Sequence, residues 1–172
     1  GFDLEAAPTR LQALIMFIRV LGEEEQALAW SGTTPFKDIE KGSQAEHYVG
    51  YAYEKGYTNG YTATSFKPAG AVNAYQYTEF VLRAMGYSSA ANKDLSDTLL
   101  RAVNAGVLTD GDAAMLQSAA FLRAQLVYIS YYALEADLPD GRQSLADRLM
   151  DLGVFTRDEW RGSWKLVKSD RL

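Results

Sequence analysis

The 172-residue sequence has no cysteine and one histidine, His47. That excludes disulfides, thiol catalysis and any zinc site built from Cys and His. Positive charge is in deficit, with 17 Lys and Arg against 22 Asp and Glu and a net charge of −5. Phosphate contacts need a basic surface, so a nucleic-acid partner is not expected. Long apolar runs are also missing. The run from Ala13 to Ile18 stops at Arg19, far short of the roughly 20 residues a spanning helix needs. No membrane insertion is expected. No basic-apolar-small leader opens the chain, which starts at Gly1-Phe2-Asp3 as if in mid-pattern. It reads as a piece of a longer secreted protein.

Enzyme signatures are equally scarce. There is no His-Glu-x-x-His, Gly-x-Ser-x-Gly or Walker-type loop. Asp110-Gly111-Asp112 suggests calcium, but the glycine offset is wrong for a twelve-residue calcium loop and the distal Glu is absent. No catalytic residue, metal or cofactor is expected. A glycoside hydrolase would need a carboxylate pair whose geometry a sequence does not give.

Apolar residues make up 48% and charged residues 23%, an ordinary globular balance for one compact domain. Repeats organise it. Thr9-Arg10-Leu11-Gln12, Asn73-Ala74-Tyr75-Gln76 and Leu122-Arg123-Ala124-Gln125 each open an apolar helical run, ending near Gly22, Gly86 and Leu134. In the first run Leu11, Leu14, Ile15 and Ile18 recur at helical spacing, and Met16 and Phe17 widen the stripe, as in a central helix. A second, shorter unit alternates with it, each copy stopped by a glycine: Gly56, Gly106 and Gly153. The last short unit lacks a following core helix and the first core helix lacks a preceding short unit, so one is expected to complete the other. Three such copies must share one core.

Thr9-x-x-Gln12 and Asn73-x-x-Gln76 are capping-box patterns. Arg10 and Arg123 sit in first helical turns, where a cation opposes the helix dipole. They read either as anion-binding forks added to the N–H groups of a helix end, or as partners of a carboxylate such as Glu5 or Asp38. Asp38 reads first as a cap of the segment after it and second as a ligand contact. Tyr48, Tyr51, Tyr53, Tyr57 and Tyr61 divide between core packing and sugar stacking. His47 and the run Glu23-Glu24-Glu25 read as solvated.

Phe36-Lys37-Asp38-Ile39, Tyr48-Val49-x-Tyr51-Ala52, Lys55-Gly56-Tyr57-Thr58-Asn59-Gly60, Phe66-Lys67-Pro68 and Leu82-Arg83-Ala84-Met85-Gly86-Tyr87 together resemble an S-layer homology domain. The first copy keeps the second half of that pattern and the third is diverged. The resemblance implies an all-α, pseudo-threefold helical spindle with a central three-helix bundle. Residues 1–30 would be the second half of repeat 1, 31–87 repeat 2 and 88–137 repeat 3. Residues 138–160 would carry the short helix completing repeat 1, and 161–172 a tail or linker.

The resemblance also implies a non-catalytic module at the bacterial cell surface. It would bind a cell-wall polysaccharide or peptidoglycan-linked polymer through grooves between repeats, alongside other domains of the same polypeptide. The alternative is a degenerate scaffold or protein-interaction module. The family's Thr-Arg-Ala-Glu signature falls on the three helix starts, with Gln at its last position throughout and Ala74 in place of its arginine in copy two. The tryptophan usual before the short helix falls at Gln44. The polymer-binding residues implied are Arg10, Arg123, Lys67, Gln12, Gln125 and Asp38, with unequal grooves and Lys67 as a point charge near Ala74.

Overall fold

Thr9 and Asn73 start helices as their capping pattern predicts. In the computed structural model, which describes residues 3–89 and 93–166, the chain forms α1 (Arg10–Val20), α2 (Glu24–Ala29), α3 (Gln44–Glu54), α4 (Ala74–Met85), α5 (Thr98–Asn104), α6 (Asp110–Ser118), α7 (Arg123–Glu135), α8 (Leu145–Asp151) and α9 (Arg157–Leu166). The all-α reading holds: no strand forms among the described residues, which carry two isolated antiparallel bridges, Thr9 with Ala71 and Asp137 with Ser144.

The Thr9 hydroxyl accepts from the Gln12 N–H at 3.1 Å, and Gln12 Oε1 accepts from the Thr9 N–H at 3.0 Å. Asn73 and Gln76 repeat both bonds. Leu122 has no side-chain oxygen, so α7 keeps the reciprocal half, Leu122 N–H to Gln125 Oε1 at 2.9 Å. Such caps satisfy N–H groups that the helix itself leaves open.

The three core helices α1, α4 and α7 each pack against the other two. Leu14, Phe17 and Ile18 meet Tyr77, Val81 and Leu82 and, from α7, Leu126, Ile129 and Ala133 in one buried cluster. Tyr77 sits fully buried at its centre, edge-on to Phe17 with ring centroids 5.9 Å apart. The Ser130 hydroxyl gives its proton to the Leu126 carbonyl at 2.7 Å, so the Tyr77 hydroxyl is the donor in its 2.5 Å bond to Ser130. Burial raises the Tyr77 phenol well above its ordinary range and keeps it neutral.

Each short helix packs on the core helix before it: α3 on α1, α5 on α4 and α8 on α7. The stop after α3 explains the glycine. Gly56 takes φ of +79°, its N–H donates to the Tyr53 carbonyl at 3.1 Å, and the Tyr57 N–H donates to Ala52 at 2.8 Å. The two bonds close the helix only if the intervening residue is left-handed. Gly106 and Gly153 repeat the same pair of bonds. Beyond α8, Val154 lies against Gly22 at the end of α1, so closely that a Cβ on Gly22 would come within 2.5 Å of a Val154 methyl.

One motif left unassigned finds its place, and two readings of the sequence change. Asp110-Gly111-Asp112 begins α6: Thr109 caps the Asp112 N–H at 3.1 Å, and Asp112 accepts from the Thr109 N–H at 2.8 Å. No group of three or more metal-ligating side chains occurs among the described residues. The Glu23-Glu24-Glu25 run is not merely solvated. Glu23 accepts the hydroxyls of Tyr51 and Tyr57, both at 2.8 Å, and Glu24 accepts from Tyr48 at 3.0 Å and pairs with Arg19. Part of the segment read as a tail or linker, residues 161–166, belongs to helix α9, whose Trp160 stacks on Tyr131 at 5.1 Å and on Phe155 at 5.9 Å. Residues 167–172 of that tail lie outside the described residues.

Candidate functional site

The turn that precedes α4 folds back over the start of α1. Arg10 donates its backbone N–H to the Gly70 carbonyl at 2.8 Å and Leu11 donates to Pro68 at 3.2 Å. At α7 the N–H groups of Arg123 and Ala124 donate to Ala6 and Leu4 at 2.9 and 3.0 Å. The helix-end donors expected to hold an anion are therefore already engaged at both arginines. What α1 leaves available is the Arg10 side chain.

Arg10 is 3% exposed. Its Nε–H donates to the Phe66 carbonyl at 2.7 Å. The rings of Phe66, Tyr61 and Phe80 surround its Cζ at 4.8, 5.7 and 5.9 Å. It forms no ion pair among the described residues, and the rest of its donor fork opens on a groove of about 780 Å³. Burial pulls the guanidinium down to about 10, against the charges of Tyr61 and Asp38, so it stays a cation at neutral pH. The carboxylate partnership considered for it is thus not a salt bridge; Asp38 acts on it only through its charge.

Asp38 caps a distant turn rather than the segment that follows it. Its two oxygens accept the N–H groups of Phe66 at 2.9 Å and Lys67 at 2.8 Å. Partial burial raises its pKa, but the backbone donors and the Arg10 charge outweigh that and leave it below the ordinary carboxylate range. A lowered folded pKa contributes stability above the unfolded value of about 3.9 and loses it as pH falls through the folded value. Asp38→Asn is therefore expected to melt lower than wild type at pH 7, with a smaller gap at pH 3. Thermal melts at both pH values check this; a gap independent of pH would contradict it.

The structure brings Arg10, Asp38 and Lys67 together around the 66–67 turn. Lys67 Nζ lies 3.9 Å from the centroid of the Tyr61 ring. Gln12 and Gln125 are engaged in capping, and neither Arg123 nor Gln125 lines the Arg10 groove. Tyr48 and Tyr51 are core residues, whereas the exposed Tyr53 and Tyr61 line the groove. His47 is not a free surface residue: its Nδ1 contacts the Trp30 carbonyl at 2.5 Å.

The sequence reading missed the groove's other wall. Glu79 of α4 is 1% exposed and faces four donors. Ser88 donates at 2.6 Å, Thr98 at 3.0 Å and Arg101 at 2.8 Å, and Arg83 lies 3.5 Å away. Arg101 also pairs with Asp97 at 3.0 Å. Glu79 and Arg83 both line the groove. The one available signal was a glutamate inside the apolar stripe of α4.

Residues 35–73 match the family model of the S-layer homology domain. The match takes in α3 and the turns carrying Tyr61 and Lys67, and stops at the cap of α4. Domains of this family are non-catalytic modules that anchor surface proteins to cell-wall polymers. Over 170 residues, 92% of this chain, the sequence is 28% identical to a protein of Thermoanaerobacter kivui named "Cell surface protein". The chain spans about a fifth of that relative, 21% of its length. The resemblance read from the residues therefore holds over residues 35–73, which are similar to an S-layer homology domain. No helix among the described residues is long and apolar enough to cross a membrane.

Proposed function

We propose that this chain is a non-catalytic anchoring module at the bacterial cell surface, one part of a longer polypeptide. It binds an anionic, sugar-containing polymer of the cell wall in the groove between its first and second copies. The observation that carries this is the buried Arg10 guanidinium, which among the described residues donates to the Phe66 carbonyl and forms no ion pair, and which opens on the groove. A buried cation left without a counter-ion is costly, and an anionic ligand supplies what is missing. The fork matches carboxylate and phosphate oxygens alike. Tyr53 and Tyr61 give the same groove ring surfaces for sugars. Arg123 is proposed as the centre of a second, separate contact.

Co-sedimentation with cell-wall sacculi tests the reading. The chain is expected to pellet with sacculi that keep their accessory polymers and to stay soluble with stripped ones. Its net charge of −5 repels an anionic polymer at long range, so attraction is local and retention should fall as salt rises. Equal retention on both kinds of sacculi would refute the polymer reading. No retention on either would favour the scaffold module.

A further inference from the structure

Asn59 is the chain's only asparagine followed by glycine. That pair is unstable in water, because the Gly nitrogen can attack the Asn side-chain amide and no Cβ stands in its way. Its place in the fold decides whether it reacts. Asn104 ends α5, and the N–H after it, of Ala105, is bound to the Arg101 carbonyl at 2.9 Å. Asn59 lies outside any helix and half-buried, and the Gly60 N–H donates to the Thr58 hydroxyl at 3.1 Å. A neutral hydroxyl two residues back holds that N–H only weakly. Glycine cannot be exchanged here. Gly60 takes φ of +90°, and a Cβ on it would run into the Phe36 ring and come within 2.6 Å of the Thr62 carbonyl oxygen. The packing of this loop therefore keeps the reactive pair in place. Asn59 and Gly60 both line the groove onto which Arg10 opens.

We infer that Asn59 is a site of spontaneous deamidation, and that the reaction weakens the module's hold on an anionic ligand as the protein ages. The deprotonated Gly60 nitrogen bonds to Asn59 Cγ, the Cγ–Nδ2 bond breaks, and ammonia leaves with the proton that nitrogen gave up. Water then opens the succinimide ring and leaves aspartate or isoaspartate at position 59. Water is the one co-reactant, and nothing is oxidised or reduced. A neutral amide on the groove wall becomes a carboxylate. The new charge repels an acid group entering the groove and competes with it for the Arg10 guanidinium. This effect on binding rests on the polymer-binding reading above; the reaction itself does not.

Ageing the folded chain in mildly alkaline buffer tests both halves, read by peptide mass spectrometry and by co-sedimentation. The peptide carrying position 59 is expected to gain about 1 Da and to contain isoaspartate, faster as pH rises, because the nitrogen must lose its proton. Retention on polymer-bearing sacculi should fall roughly three- to tenfold as conversion completes. Fresh Asn59→Asp should bind as weakly as the aged protein. Asn59→Gln, whose longer side chain closes the ring far more slowly, should keep after ageing whatever hold it has when fresh. If the folded chain keeps its mass while the urea-unfolded chain gains it, the fold protects the pair and the inference is overturned. If the mass rises and retention stays constant, the effect on binding is overturned. Fresh wild type that is not retained at all refutes the polymer reading and the effect on binding with it, and the mass gain still decides the chemistry.

Discussion

Glu79→Ala is expected to destabilise the fold by about 3–5 kcal/mol, the usual cost of removing one partner of a buried ion pair. For a chain of this size that lowers the melting temperature by on the order of 10 °C. Glu79 is the one carboxylate that Ser88, Thr98, Arg83 and Arg101 all face, and it is almost wholly out of water. Its loss leaves guanidinium charge in a site with little solvent to receive it. The same carboxylate ties α4 to α5. Glu79→Gln keeps the volume but loses the charge, and should fall between wild type and Ala. Asp97→Ala removes only the exposed end of the network, where ion pairs contribute about 1 kcal/mol at most. Thermal or denaturant melts of the three variants give the ranking. A Glu79→Ala variant within about 1 kcal/mol of wild type would show that the network is not what joins α4 to α5.

That network marks where sequence reasoning stops. Thr9, Asn73 and the glycine stops act through bonds that span three to five positions, so their meaning is local and legible. The apolar stripes of α1, α4 and α7 likewise require burial against something, and three matching stripes require one another. The short helices α2 and α6 offer no such stripe, and α6 hides its start in an acidic triplet. Glu79 has partners 9 and 19 residues away and another 22 away, and nothing near it in sequence announces them. Glu23 is similar: it looks solvated until the chain returns with Tyr51 and Tyr57. The site divides the same way. An arginine in a first helical turn breaks a local preference and so stands out. That its helix end is closed by Pro68 and Gly70, leaving only the side chain free, follows from a turn almost sixty residues on.

Arg10→Met carries the largest functional effect. Methionine keeps much of the volume and the contacts with Phe66 and Phe80 while removing the charge. The lost bond to the Phe66 carbonyl costs about 1.5–3 kcal/mol as a bond from a charged group. Against that, the variant no longer buries a cation that forms no ion pair among the described residues, and replacing buried charge by an apolar group of similar size is often neutral or stabilising. Stability is therefore expected to stay within about 1 kcal/mol of wild type. Binding has no such compensation. An acid group in the groove would lose its buried fork and remain partly desolvated, a penalty of about 2–5 kcal/mol, or thirtyfold and more in affinity. Arg10→Lys should recover only part of this, because an ammonium cannot meet two oxygens with a planar fork. If Arg10 were instead a structural cation, Arg10→Met would lose stability and keep its hold on the wall. Melting temperature and wall retention measured on the same three proteins separate the two, and a destabilised Arg10→Met that still pellets with polymer-bearing sacculi would take Arg10 out of the site.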